Sequence, residues 1–301
     1  MPPATPARLL ADLPPGVAWA PWPAEGPLLD DGLPAVYVPR FGDRERTRAH
    51  LAALRDLRWV QTLSAGVDWV LDLVPPGVPL HDARGVHDVA VAEWVVGALL
   101  VLARELDRYA HAQAARAWLP WRSVVAGELD QKRVLILGYG AIGRALEARL
   151  GPLGARVWRL ARRGRPGVYG PEALDALLPR ADAVVLLLPL TEETRGLVDR
   201  RFLAKMRPGA HLVNAGRGAL VVTDALVEAL YARRIKAALD VTDPEPLPAD
   251  HPLWTAPGLF LTPHVAGASP AFLARAYNLV KAQLARYLEG RPLWNRVQRG
   301  Y

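Results

Sequence analysis

An arginine, a glutamate and a histidine stand 28 and 19 residues apart in the second half of the chain. Arg217 lies in Asn214-Ala215-Gly216-Arg217-Gly218, Glu245 in Asp240-Val241-Thr242-Asp243-Pro244-Glu245-Pro246, and His264 in Thr262-Pro263-His264-Val265-Ala266-Gly267. Each motif follows a short apolar run that reads as a strand. A guanidinium stays charged and forks onto carboxylates. An imidazole titrates near neutral pH and moves protons, and a neighbouring carboxylate favours its charged form. Together the three suit proton transfer to a substrate that carries a carboxylate. Taken singly, Arg217 and Glu245 read as a surface ion pair and His264 as a satisfied loop histidine; their joint occurrence carries the functional reading.

A second motif is Gly138-Tyr139-Gly140-Ala141-Ile142-Gly143, between an expected strand and an expected helix. In that context the first glycine makes the turn and the second lets backbone approach a pyrophosphate. The third lets the helix pack closely on the strand. The pyrophosphate then rests on the positive end of the helix dipole. An NAD site usually has an acidic residue about 20 positions after the first glycine. Here no Asp or Glu occurs between Glu147 and Glu172, and the strand Val157-Trp158-Arg159-Leu160 runs into Ala161-Arg162-Arg163. A missing carboxylate and two guanidinium groups favour the 2′-phosphate of NADPH, with Arg162 and Arg163 as its clamp.

These residues need strands and helices to hold them. Val17–Ala20, Ala35–Val38 and Trp59–Leu63 read as strands and Arg44–Leu57 as a helix, although nine prolines fall in the first 34 residues. Asp88 to about Ala117 reads as one long helix with an apolar middle. A cleaner series then opens. Val134–Leu137, Arg156–Leu160, Ala183–Leu188, His211–Asn214, Ala237–Val241 and Leu259–Thr262 are near-continuous apolar runs, as in a parallel sheet covered on both faces. Between them Ala141–Leu150, Pro171–Leu178, Arg200–Lys205 and Thr223–Ala232 read as helices, and Ala271–Leu288 as a final one. Ligands of such sheets bind beyond the carboxyl ends of the strands, which is where all four motifs fall.

Composition sets the outer bounds. A chain of 301 residues corresponds to about two domains. With no cysteine it has no disulfide, thiolate metal site or cysteine nucleophile, and no metal is expected. The longest apolar runs, Val95–Ala103 and Ala183–Leu190, fall short of the ~20 residues of a membrane span, and no secretory signal is visible. The net charge of +7 comes from 37 Lys and Arg, only four of them lysine. That charge is dispersed, with its densest cluster at Arg159–Arg165, so it fits an anionic small molecule better than nucleic acid.

Taken together, GYGAIG and the arginine, glutamate and histidine motifs in that order closely resemble the D-isomer-specific 2-hydroxyacid dehydrogenase family, over about Val60 to Gly267. The resemblance implies two α/β domains, a Rossmann-type doubly wound parallel sheet inserted into a smaller flavodoxin-like domain. Their expected extents are 98–270 for the dinucleotide-binding domain and 1–97 plus 271–301 for the outer, substrate domain. It implies that Arg217 binds the substrate carboxylate and polarises the carbonyl being reduced, that His264 is the general acid, and that Glu245 holds the histidine and favours its protonated form. Ser64-Ala65-Gly66-Val67-Asp68 resembles the substrate loop whose Ala65, Gly66 and Val67 amides hold that carboxylate, and closure would bring it over Arg217 and His264. Leu188-Pro189-Leu190-Thr191 resembles the segment beside the nicotinamide ribose, with Pro189, Thr191 and Ala215 near the cofactor. Asp240 falls near its carboxamide. Thr191 reads equally as a helix N-cap.

Asp88 stands near a position where relatives often carry asparagine. Trp118 and Trp121 read as buried packing, or as walls of a pocket. The expected activity is NADPH-dependent reduction of a small 2-oxo acid of the glyoxylate or hydroxypyruvate type, NAD(H) being the alternative cofactor, in a cytoplasmic homodimer. Alternatives are the same chemistry on a bulkier 2-oxo acid or phosphoglycerate, and a cofactor-sensing corepressor-like protein.

Overall fold

The computed structural model describes residues 9–10, 12–21, 31–124 and 126–298. The chain divides into two units, Met1–His87 with Ala268–Tyr301, and Asp88–Gly267.

In the first unit β1 (Ala35–Tyr37), β2 (Leu57–Gln61) and β3 (Leu80–His81) form a parallel sheet in the order β1-β2-β3. Helix Arg44–Ala53 connects the first two strands, its N-terminus capped by the Asp43 carboxylate. The C-terminal segment extends the sheet edge, Val297 N–H donating to the Leu80 carbonyl at 2.8 Å. Inside, Gln61 donates to the backbone carbonyls of Thr62, His81 and Asp82 and accepts from Gln283 at 3.2 Å. Buried amides keep their hydrogen bonds in this way. The expected strand Val17–Ala20 is absent: the segment makes no ladder, Pro21 offers it no N–H, and Trp19 is exposed. Among the described residues this parallel sheet has three strands.

The second unit holds β4 (Arg133–Leu137), β5 (Arg156–Leu160), β6 (Ala183–Leu186), β7 (His211–Asn214), β8 (Lys236–Leu239) and β9 (Leu259–Leu261). All run parallel in the order β5-β4-β6-β7-β8-β9. Beyond β5, Tyr169 pairs in parallel with Leu160 as a single bridge. Counting that bridge as a strand gives the order 3-2-1-4-5-6-7, the 3-2-1-4-5-6 order of a Rossmann sheet with β9 added at its far edge and the crevice between β4 and β6. Alternate side chains explain the two covered faces. Val134 and Ile136 pack with Val95, Leu99, Leu102 and Leu146 on one side, and Leu135 and Leu137 with Leu177, Phe202, Leu212 and Leu226 on the other.

Helix Asp88–Arg104 packs along one face of this sheet, so the division falls at 87/88 and not at 97/98. The expected long helix is broken. Glu105 takes a left-handed φ of 55°, Gly127 N–H takes the Ala103 carbonyl at 2.7 Å, and a second helix, Leu106–Ala114, begins with no buried residue. At the break the Glu105 carboxylate meets Lys236 Nζ at the start of β8. Trp118 is 95% exposed, which corrects its reading as buried packing. The side chain of Trp121 lies outside the described residues. Pro171–Leu178 is a short α-turn between two 3₁₀ turns, not one helix, as Pro171 and Pro179 each open a new turn.

Candidate active site

The glycine loop lies where β4 gives way to helix Ala141–Leu150, at the topological switch point. Gly138 has φ +100°, and a Cβ there would stand 2.5 Å from the Leu187 carbonyl oxygen that follows β6. No side chain fits. At Gly143 a Cβ would meet the Gly138 carbonyl and the Tyr139 ring at 3.2 Å, so helix and strand touch through it. Gly140, the N-cap, differs: a Cβ there would have no protein atom within 4 Å. A dinucleotide fits this cradle, because the side chain missing at Gly140 is excluded by nothing in the protein itself. Ala141 opens the helix and Ile142 packs toward the core. The Tyr139 hydroxyl donates to Glu147, whose carboxylate also accepts from Arg159 Nε at 2.8 Å. The Arg159 guanidinium holds the Glu147 carboxyl below its ordinary range.

At the loop after β5, Ala161 N–H donates to the Tyr169 carbonyl at 3.0 Å. Arg162 reaches Glu193 at 3.9 Å, with both side chains largely in solvent, and Arg163 is exposed. After β6, the Pro189 carbonyl accepts from Thr194 Oγ at 2.7 Å. Thr191 opens a turn rather than a helix, its hydroxyl bonded to Glu193 at 3.1 Å, so it is no helix N-cap.

Arg217, Glu245 and His264, the expected acid–base residues, lie beyond the carboxyl ends of three neighbouring strands, β7, β8 and β9. After β7, buried Asn214 shapes the turn: its amide donates to the Arg217 carbonyl at 2.9 Å and its oxygen accepts from Gly216 N–H at 3.0 Å. Ala215 packs against the core, and the Arg217 guanidinium donates to the Gly216 carbonyl at 2.9 Å. A Cβ at Gly218 would collide with the Thr242 carbonyl and stand 2.7 Å from Asp243 N, so the loops after β7 and β8 touch backbone to backbone. Glu245, between two prolines, meets His264 Nδ1 at 2.6 Å. That bond turns the other ring nitrogen, Nε2, away from Glu245.

Asp240 organises the loop that carries His264. Its side chain is buried. One carboxylate oxygen accepts from Thr262 Oγ1 at 2.7 Å and Val265 N–H at 2.8 Å, and the other from Ala266 N–H at 2.8 Å. The Asp240 carbonyl takes His264 N–H at 2.7 Å, which holds His264 at φ 55°. A left-handed histidine is the kind of backbone strain that surrounding bonds must enforce. Two contributors were not legible as site residues. Asn214 reads as a strand end, and Glu147 becomes visible only when Arg159 and Tyr139 are placed on facing elements.

In the first unit the Gly66 carbonyl accepts from Ser64 Oγ at 2.9 Å and Trp69 Nε1 at 3.2 Å, and Val67 is fully buried. These bonds fix the Ala65–Val67 loop at the carboxyl end of β2. Asp88 opens helix Asp88–Arg104 of the other unit. Among the described residues no group of His, Asp and Glu has the makings of a metal site, and no helix is long and apolar enough to cross a membrane.

Residues 96–266 match the D-isomer specific 2-hydroxyacid dehydrogenase, NAD binding domain family. Among solved structures, the chain is similar to the NADPH-dependent glyoxylate/hydroxypyruvate reductase of Sinorhizobium meliloti, in complex with NADP and sulfate. The two are 31% identical over 88% of this chain and 86% of that one, with a TM-score of 0.79. A D-isomer specific 2-hydroxyacid dehydrogenase from Xanthobacter autotrophicus, in complex with NADPH and MES, is 32% identical over 88% and 85%, with a TM-score of 0.75. An NAD-dependent formate dehydrogenase from Staphylococcus aureus, in complex with NAD, is 28% identical over 87% and 82%, with a TM-score of 0.72.

Proposed function

Because the chain belongs to the D-isomer-specific 2-hydroxyacid dehydrogenase family, we propose that it reduces a small 2-oxo acid of the glyoxylate or hydroxypyruvate type to the D-2-hydroxy acid, with NADPH as the preferred cofactor. The observation that carries this reading is the His264–Glu245 pair, which shares one sheet edge with the Arg217 loop and one unit with the glycine cradle. When bound, the nicotinamide supplies the hydride. Gly138, Tyr139, Gly140, Ala141, Ile142 and Gly143 would hold the pyrophosphate against the helix N-terminus. Ala161, Arg162 and Arg163 would meet the adenosine end, and Pro189, Thr191, Ala215 and Asp240 the nicotinamide end.

Arg217 forks onto the substrate carboxylate and polarises the carbonyl. The Ala65, Gly66 and Val67 amides serve the same carboxylate. His264 gives a proton from Nε2 to the carbonyl oxygen, while Glu245 holds the ring at Nδ1 so that the donor nitrogen keeps its aim.

The test is loss of the reduced-nicotinamide absorbance with glyoxylate, hydroxypyruvate, pyruvate and a bulkier 2-oxo acid, each with NADPH and NADH. Turnover fastest with NADPH and one of the first two acids is expected. Fast turnover only with the bulkier acid would reassign the substrate. Tight cofactor binding with no turnover on any acid would overturn the enzyme reading in favour of a sensing role. A cytoplasmic homodimer belongs to the same proposal. Helix Leu106–Ala114 buries no side chain of its own and Trp118 is almost wholly exposed, a surface that a second copy of the chain would cover. A monomeric mass by light scattering would refute that part.

A further inference from the structure

Arg165-Pro166-Gly167-Val168 is a tight turn built by its own sequence. Proline presets the second position, glycine takes φ 77° at the third, and the ends are doubly bonded: Arg165 N–H to the Val168 carbonyl at 2.9 Å and Val168 N–H to the Arg165 carbonyl at 2.8 Å. The turn sends the chain back along β5, where Tyr169 N–H meets the Arg159 carbonyl at 2.8 Å. Arg165 is thereby returned to the glycine loop. Its guanidinium lies 5.9 Å from the centre of the Tyr139 ring and donates to the Tyr139 carbonyl at 3.2 Å.

The neighbouring guanidinium groups are engaged differently. Arg159 is bound bidentately by Glu147, and Arg162 leans toward Glu193. Among the described residues Arg163 has no side-chain hydrogen bond or ion pair, and it is exposed. Arg165 donates to the backbone of the glycine loop, and among the described residues it meets no carboxylate; Arg159 also lies against the Tyr139 ring, at 5.7 Å, but is paired with Glu147. The single carbonyl occupies one of the five N–H donors, and the rest of the fork remains for an anion.

We infer that Arg165 is the residue that selects the 2′-phosphate of the adenosine ribose, with Arg162 and Arg163 in a lesser role. The inference rests on the NADPH reading above and sharpens it to one side chain. A guanidinium held in place by a turn, a ring and a carbonyl loses less freedom on binding phosphate than an exposed one without such anchors, as at Arg163, and Arg162 already has Glu193 as a partner.

The experiment is calorimetric titration of the full chain with adenosine 2′,5′-bisphosphate and with 5′-AMP, two probes that differ only in the 2′-phosphate. The wild type should prefer the bisphosphate by roughly 30-fold or more. Arg165→Ala should shrink that preference at least about 10-fold with 5′-AMP affinity within about 2-fold, Arg165→Lys should restore part of it, and Arg163→Ala should move it less than about 3-fold. Unchanged melting temperatures would verify that each variant folds. An undiminished preference in Arg165→Ala overturns the assignment and leaves the NADPH reading standing. A wild type that does not distinguish the probes overturns both.

Discussion

Two glycines of the same loop should respond in opposite ways to the same added methyl group. At Gly138 the methyl carbon would sit 2.5 Å from the Leu187 carbonyl oxygen and 2.8 Å from Leu188 N, and the backbone is at φ +100°. Ordinary contact begins near 3.4 Å, so β4 and the segment after β6 must part by about 0.9 Å. Overpacking of that kind costs about 1–3 kcal/mol and the backbone conformation about 1–3 more. A total of about 3 kcal/mol lowers the melting temperature of a unit this size by roughly 6–12 °C. At Gly140 the same methyl meets no protein atom within 4 Å, so Gly140→Ala should melt within about 2 °C of wild type. It should instead push the pyrophosphate off the loop amides. Losing one charge-assisted bond of about 1.5–3 kcal/mol weakens NADPH binding roughly 10- to 150-fold. Melting curves without cofactor, and fluorescence titrations with it, separate the two effects. Wild-type cofactor affinity in Gly140→Ala would refute the cradle, and an unshifted melting curve for Gly138→Ala would refute the close approach.

His264→Ala should lower kcat by about 10²- to 10⁴-fold while cofactor affinity barely moves; Glu245→Gln, which still accepts from Nδ1 but carries no charge, should fall in between, and steady-state kinetics on both variants would check this. Gly218→Ala forces the Arg217 loop away from the backbone of Thr242 and Asp243, and a displacement of about 1 Å should cost kcat/KM roughly 10²-fold. Burial pushes the His211 imidazole down to about 4 from 6.5. The unfolded chain then takes up a proton that the folded one refuses, so the stabilisation present above pH 6.5 is lost as the pH falls toward 4. Unfolding free energies from denaturant curves at pH 7.5 and 5.0 should differ by about 1–2 kcal/mol more in wild type than in His211→Gln, and an equal difference in the two would count against it.

The second unit was largely legible because its strands are buried on both faces. Ala141–Leu150, Arg156–Leu160, Arg200–Lys205 and His211–Asn214 fall where apolar runs and glycine punctuation put them. The helix break at Glu105 carries no local signal. Neither glycine nor proline marks it, and the Glu105 carboxylate meets its partner, Lys236, 131 residues away. The outer unit was harder to read, since β3 spans only two residues and its partners come from both ends of the chain. At the candidate site, residue types and spacing single out His264, Glu245 and Arg217 as candidates, yet not what aims them. Asp240 came to notice as a neighbour of the cofactor, whereas its carboxylate oxygens bind the loop that carries His264. The Pro166-Gly167 turn can be read from the sequence, but not that it returns the Arg165 side chain to the Tyr139 carbonyl.

The outer unit is assembled from both ends of the chain, and this orders events during synthesis. Asp88–Gly267 is continuous and has all its strands once its last residue emerges. The first 87 residues must wait longer. Trp59 and Val60 on β2 lie in cores completed by Val280, Leu284 and Val297, and Gln61 meets Gln283 across 222 residues. Until the ribosome has delivered the final helix, β2 leaves apolar side chains and a carboxamide without their native cover, so the nascent amino-terminal segment is the part most in need of a chaperone. A chain stopped after Gly267 would hold a folded nucleotide-binding unit tethered to a segment that cannot close its own core.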